Sequence, residues 1–288
     1  VDGPSTALIG RHGCSDLYLD SDPSLSLRHL MLILEPPMSL VNPEVRCRVL
    51  DCRTGRVVRD EWERKLESVV AGGPVFLQCG EYALMFLVTG DNTNFPACGQ
   101  QAWSFIPERV FLEETRATRL RPKRPRQSMP KWAKGKNPSF VTMVGGVIGE
   151  HDLGNAGPIR GKLSISSAQG DLSVRINQET AHRGLLLGAY ERCHSKAVSI
   201  LSCDGISRVH LLLLDIAGEL YAIDTGSTNG VYLVDEPGSQ RRSESFMAEG
   251  TDVGLPGQRI RSVRLEAGAT LLLGHGYACL RWAPSFPV

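Results

Sequence analysis

Residues 200–233, ILSCDGISRVHLLLLDIAGELYAIDTGSTNGVYL, set two polar clusters between apolar, strand-like runs. Ser207-Arg208-Val209-His210 comes first. LLLL (211–214) and ELYAI (219–223) follow and read as two short buried strands bounded by Asp and Gly. The second runs straight into Asp224-Thr225-Gly226-Ser227-Thr228-Asn229-Gly230. Ser-Thr-Asn-Gly alone is a hairpin turn, because Asn-Gly supplies the positive φ angles such a turn requires. With Ser-x-x-His one strand pair upstream, the reading shifts from a turn to a site, in which two polar loops at one end of a β-sandwich face one ligand.

The same order of landmarks occurs in the first half. ALIGRH (7–12) ends an apolar run on Gly-Arg, and Ser26-Leu27-Arg28-His29 precedes LMLIL as Ser207-Arg208-Val209-His210 precedes LLLL. VLDCRTGRVV (49–58) stands where YAIDTGSTNGVYL stands, with Asp51 answering Asp224. Each half closes on a similar run, VVAGGPVFLQCG (69–80) or LEAGATLLLGHG (265–276), followed by Tyr82 or Tyr277. Four landmarks in one order make an internal repeat. Short apolar runs punctuated by Gly, Pro, Asp and Asn, without long helical periodicity, make both halves all-β sandwiches. The exception is DEWERKLESVV (60–70), where Trp62, Leu66 and Val69/Val70 at helical spacing fit either a short helix or a charged loop.

A chain of 288 residues holds two domains of ordinary size. The boundaries read as 1–112, a connecting segment over 113–160, and 161–288. Residues 116–136 are rich in Lys and Arg, contain no acid and carry three prolines, which makes them an exposed basic linker. PSFVTMVGGVIG (138–149) is apolar again and is expected to pack on one of the domains. Arg and Lys upstream of Thr118 and Ser128 suit a basophilic kinase. A net charge of +1 argues against a nucleic-acid protein as a whole. No apolar run approaches the roughly 20 residues of a membrane helix, and Val-Asp-Gly-Pro-Ser-Thr is no signal peptide, so a cytoplasmic location is expected. The chain opens on Val1 rather than Met, as a fragment would. Its eight cysteines lack Cys-x-x-Cys or Cys/His ligand spacing and read as buried reduced thiols, with no metal site and no cofactor.

Gly-Arg, Ser-x-x-His and Asp-x-x-Ser-x-Asn-Gly in this order resemble the forkhead-associated (FHA) domain, and the chain looks like two FHA-like sandwiches in tandem. The resemblance implies a non-enzymatic adaptor that reads phosphothreonine made by a Ser/Thr kinase, mainly through the second domain. It gives Ser207 and Thr228 to the phosphate, Asn229 to the peptide backbone, and Arg208 to the peptide beside the phosphate. It makes Gly188, His210, Asp224 and Gly230 architectural. The partners implied are a phosphothreonine-containing protein and the kinase, with the chain's own linker or another copy of it as further ligands. The second half departs from the pattern at Gly188-Ala189, where the family Arg is the main phosphate cation. Three readings stay open: Arg192 folds back as a substitute, position 189 is engineered, or the domain no longer needs phosphate. The first half keeps Arg11, Ser26, Arg28 and His29, but places Gly55 and Arg56 where the second has Thr228 and Asn229. It is the weaker binder, and Val1 lies so close to Arg11 that the family's first strand is missing or supplied from elsewhere.

Two other functions compete. Asp224-Thr225-Gly226-Ser227 after an apolar strand also fits a retropepsin-like aspartic protease, which needs a second aspartate sharing one proton. Asp51-Cys52-Arg53-Thr54-Gly55 lacks the adjacency, leaving a homodimer of second halves as the sole route. A phosphate-independent scaffold or dimerisation module is the other alternative, raised by the incomplete sites.

Overall fold

The computed structural model describes residues 3–35, 46–56, 58–60, 64–72, 75–86, 141–144, 157–234 and 257–285. The first half contributes strands β1 (Ser5–Gly10), β2 (Leu17–Tyr18), β3 (Leu30–Glu35), β4 (Arg46–Asp51), β5 (Val58–Arg59), β6 (Lys65–Leu66), β7 (Ser68–Ala71), β8 (Val75–Cys79), β9 (Tyr82–Phe86) and β10 (Val141–Val144). The second contributes β11 (Ile159–Ser167), β12 (Gly170–Asn177), helix α1 (Gln178–Arg183), β13 (Leu185–Leu187), helix α2 (Ser195–Leu201), β14 (Leu211–Ile216), β15 (Glu219–Asp224), β16 (Val231–Val234), β17 (Gln258–Ile260), β18 (Ser262–Arg264), β19 (Thr270–Leu273) and β20 (Ala278–Pro284).

Each half is a two-sheet sandwich. In the first, the sheet β10-β7-β4-β3-β1-β2 faces the sheet β6-β5-β8-β9; in the second, β13-β14-β15-β18 faces β12-β11-β20-β19-β16-β17. Leu30, Val49 and Val69 meet Val58, Leu77 and Cys79 in the first core, and Leu211, Leu213 and Ala222 meet Leu271, Leu280 and Trp282 in the second.

LLLL is an unbroken apolar run because both of its faces are covered, and LMLIL is covered on both faces as far as Ile33, with Leu34 at its end 38% exposed. Successive side chains of a strand point to opposite faces. Leu30 enters the first core while Met31 and Ile33 turn outward; Leu211 and Leu213 enter the second core while Leu212 and Leu214 turn outward. The outward sets meet each other. Leu8, Met31, Ile33, Leu50 and Cys52 form one buried cluster with Leu186, Cys193, Val209, Leu212, Leu214, Ile216, Tyr221 and Ile223. The two domains are therefore packed face to face through an apolar seam.

Polar groups fix its edges. Arg48 is buried, pairs with Glu35 at 3.0 Å and donates to the carbonyl of His182 in α1 at 2.7 Å. Ser262 donates to the carbonyl of Pro4 at 3.1 Å, and Arg261 pairs with Asp16.

Several expectations meet the structure here. Residues 65–66 and 68–71 are strands rather than a helix, because buried Val69 and its neighbours pair with β4 across the sheet (Val49↔Val69, Cys47↔Ala71). Trp62 lies outside the described residues, as does the basic segment 116–136. Val141–Val144 pairs antiparallel with β7, so part of the interval 113–160 belongs to the first sandwich. In the second domain β20 pairs with both β19 and β11, whereas among the described residues β9 pairs only with β8. The first sandwich thus lacks a counterpart of the β11–β12 hairpin among the described residues. The seven described cysteines are free thiols, four of them buried, and Cys98 lies outside the described residues. Among the described residues no helix is long and apolar enough to cross a membrane.

Candidate functional site: two loop rims and a shared seam

Sheet register brings the polar loops together. The residue after each histidine pairs with the loop aspartate: Leu211↔Asp224 in the second domain, Leu30↔Asp51 in the first. In an antiparallel pair this puts the Ser-x-x-His segment and the Asp-led loop at the same strand end. The backbone extends the match, with Thr225 N donating to His210 O at 3.2 Å and Cys52 N to His29 O at 2.9 Å.

Each histidine then ties its own rim. His210 Nδ1 accepts from Ser207 N at 2.9 Å, which leaves Nε2 as the N–H that donates to Gly230 O at 3.0 Å. His29 Nδ1 accepts from Ser26 N at 3.0 Å, and Nε2 stands 3.4 Å from Thr54 Oγ1. Burial disfavours the charged imidazole, and both histidines are lowered to about 4, His29 with help from Arg192 and His210 with help from Arg28 and Arg259. They are neutral struts.

Glycine is required just before each rim. A Cβ on Gly188 would lie 2.4 Å from Arg208 O, and one on Gly10 would lie 2.3 Å from Leu27 O. The chain passes too close to the Ser-x-x-His backbone for any side chain there.

At the second rim, Thr228 N donates to Ser207 Oγ at 3.0 Å, which joins the two loops directly. Asn229 Nδ2 donates to Gly205 O at 3.0 Å. Thr228 and Arg208 are exposed, and Ser207 and Asn229 are half-buried. Asp224 is 9% exposed; its Oδ1 accepts Ser227 N at 2.8 Å and builds the turn. Burial raises its carboxyl, against the bonds from Ser227 and the charges of Arg259 and Arg28. The first rim repeats this turn, Asp51 Oδ1 accepting Thr54 N at 3.0 Å, with burial raising Asp51 to about 6. Asp224 and Asp51 thus hold separate turns in separate domains, and neither is placed as half of a shared-proton pair with the other.

Two arginines stand elsewhere than their positions in sequence suggest. Arg28, assigned by resemblance to the first rim, is 8% exposed and crosses the seam. Its Nε donates to Thr225 O at 2.9 Å and its Nη2 to Gly226 O at 2.6 Å, so it braces the loop of the second domain. Its position matches Val209, which packs in the apolar seam, and the same outward direction carries Arg28 across. Arg192, the substitute considered for the cation missing at 189, also crosses. Its Nη1 donates to Ser26 Oγ at 3.1 Å, its ring partner is Tyr190 at 5.4 Å, and its carbonyl accepts from Arg53 Nη1 at 2.5 Å. Its neighbour Cys193 is buried in the seam cluster, which sets position 192 at the edge of the seam beside the first domain.

Sequence reasoning missed Arg259, which comes from β17 to stand over the second rim with Nη2 3.5 Å from Ser227 O. A long segment separates β17 from β16, and no motif marks it. In the first domain Arg11 Nε donates to Leu25 O at 2.7 Å, and exposed Arg56 follows the turn with its amide on Thr54 Oγ1 at 3.2 Å.

No family model and no curated protein matches the chain. Among solved structures it is similar to an FHA domain of Mycobacterium tuberculosis, Rv1747 FHA-1 (20% identity, TM-score 0.29, 44% of this chain and 99% of that one). It is similar also to the FHA domain of the CT664 protein from Chlamydia trachomatis (18% identity, TM-score 0.30, 44% and 99%). A third is Mycobacterium tuberculosis EmbR in complex with a low-affinity phosphopeptide (15% identity, TM-score 0.29, 44% and 25%).

Proposed function

We propose that the chain is a phosphothreonine-peptide reader, acting mainly through the second rim, in a signalling adaptor downstream of a Ser/Thr kinase. The observation that carries this is the Thr228 N–Ser207 Oγ bond at 3.0 Å, which sets hydroxyl, amide and threonine on one open edge. A phosphothreonine brings about −1.5 to −2 charges and three acceptor oxygens. A hydroxyl that accepts one amide still has its own proton to donate, so Ser207 remains a phosphate donor. Asn229 uses one amide proton on Gly205 and keeps a second N–H and a carbonyl oxygen, the pair that suits the backbone of a bound peptide. With Ala at 189, the cations at this edge are Arg208 and Arg259, and Arg28 acts from behind by fixing the loop.

Ser207→Ala and Asn229→Ala in the full chain test the reading. Fluorescence anisotropy of a degenerate phosphothreonine peptide library is expected to show each binding about tenfold more weakly, with unchanged unfolding. A Ser207→Ala protein that binds like the parent contradicts it. In-chain ligands to test are peptides around Thr118 and Ser128.

A phosphate-independent scaffold is the second reading, favoured by Ala189 and by the turn of Arg192 away to Ser26. It requires equal affinity for phosphorylated and unphosphorylated peptides.

A further inference from the structure

Among the described residues of the second domain, the large apolar side chains left exposed are Ile159, at 48%, and Tyr277, at 54%. Tyr277 stands at the rim. A Cβ on Gly205 would fall 1.9 Å from its Cδ2, so the ring packs on the backbone two residues before Ser207. Gly205 has no positive φ to account for it, and the missing side chain makes room for the ring. The carbonyl of the same Gly205 accepts Asn229 Nδ2 at 3.0 Å. The turn that carries the tyrosine is fixed to the loop as well, with Gly274 N donating to Gly230 O at 3.1 Å. Along this edge the contacts run from Ser207 and Thr228, through Asn229 on Gly205, to the Tyr277 ring.

The first domain employs its tyrosine differently. Tyr82 is half-buried and its hydroxyl accepts Ser21 N at 2.9 Å, which makes it a strut of its own sandwich. Tyr277 is packed on one side and wet on the other, and such a ring offers apolar area at little cost in conformational entropy.

We propose that Tyr277 is a specificity-determining residue of the second rim, a platform for an apolar or aromatic side chain of the bound peptide on the side of the phosphothreonine that Asn229 holds. This rests on the second-rim reading and adds to it the class of peptide. An extended peptide advances about 3.3 Å per residue, so a chain leaving the phosphate and passing Asn229 reaches the ring within its next few residues. An apolar side chain there covers the open part of the ring. An acidic one loses water without gaining a cation and meets the like charge of exposed Asp204, next to Gly205.

The test is fluorescence anisotropy of the full chain with phosphothreonine sub-libraries, each fixing one flanking position as Leu, Phe or Asp. The parent, Tyr277→Ala and Tyr277→Phe are compared, and the binding lost in Ser207→Ala marks the part that belongs to the second rim. The parent is expected to favour Leu or Phe over Asp at one flanking position by about three- to tenfold. Tyr277→Phe keeps that preference and Tyr277→Ala flattens it, while both variants still favour phosphorylated peptides. A parent without a flanking preference, a preference that survives in Tyr277→Ala, or one lost in Tyr277→Phe overturns the platform. So does Tyr277→Ala weakening every peptide equally, which would make the ring only a brace for Gly205. The second-rim reading fails by a different result, parent binding that ignores the phosphate.

Discussion

The two rims are the same scaffold furnished differently. Each has a glycine that its serine loop overhangs, a neutral histidine that ties serine to turn, and an aspartate that holds the turn from below. What differs is the set of groups offered to a ligand. The second rim presents Ser207, Thr228 and Asn229 but has Ala189 where the first has Arg11; the first presents Ser26 and Arg11 but has Gly55 and Arg56 where the second has Thr228 and Asn229. Each is then supplied with an arginine from its neighbour, Arg28 behind the second rim and Arg192 onto the first. Losses that look like decay in one domain at a time become a redistribution once the docked pair is considered.

The comparison is broken most severely at the seam. Leu212→Ala removes a fully buried side chain from the inter-domain cluster and is expected to cost about 2–5 kcal/mol in urea denaturation. If the face of β14 were open to solvent, the cost would be within about 0.5 kcal/mol. Ala189→Arg supplies the second rim with the cation it lacks. Phosphopeptide binding there is expected to tighten by about 1.5–3 kcal/mol, roughly ten- to a hundredfold, in the same anisotropy assay. No change would mean that Arg208 and Arg259 already suffice, or that no phosphate binds.

Arg28→Ala sharpens the comparison because the changed residue lies in one domain and the loop it braces in the other. Two carbonyls of the second loop lose their donor, and about 1–3 kcal/mol of stability is expected to go with them. Weaker peptide binding at the second rim is expected alongside, and unchanged binding would make Arg28 a purely structural brace.

The smallest effect is one the rims share. His29 and His210, lowered to about 4, should keep neutral imidazole carbon shifts in NMR from pH 7.5 down to 5. Each contributes stability that is present above the unfolded value of about 6.5 and lost as pH falls through about 4. Asp51, raised to about 6, works in the opposite sense, its contribution present at low pH and lost as pH rises through about 6. Either imidazole titrating near 6.5 would contradict the buried-strut role.

The sandwiches were legible in the sequence because strand alternation, Asn-Gly turns and the repeat of four landmarks are local signals. So was the joining of Ser207 to the 224–230 loop, since one strand pair separates them and sheet register does the rest. The seam was not read, although its signal was present: LMLIL and LLLL are apolar at every position, which a sandwich with one solvated face does not need. That omission misplaced Arg28 and Arg192, whose positions in sequence point to their own rims while their side chains cross to the other. Arg259 was out of reach for another reason, because it joins the rim through pairing of β17 with β16 across a segment that carries no motif. Helical spacing at Trp62, Leu66 and Val69 misled because Val69 and Val70 are β-branched and pair with Val49 and Arg48 in the sheet.

The most direct test titrates the full chain with a phosphothreonine peptide library and with its unphosphorylated counterpart, both by fluorescence anisotropy. Charge-assisted bonds to a dianion are expected to favour the phosphorylated library by tenfold or more. Equal affinities would contradict the account and leave a docked pair of sandwiches with no phosphate to read.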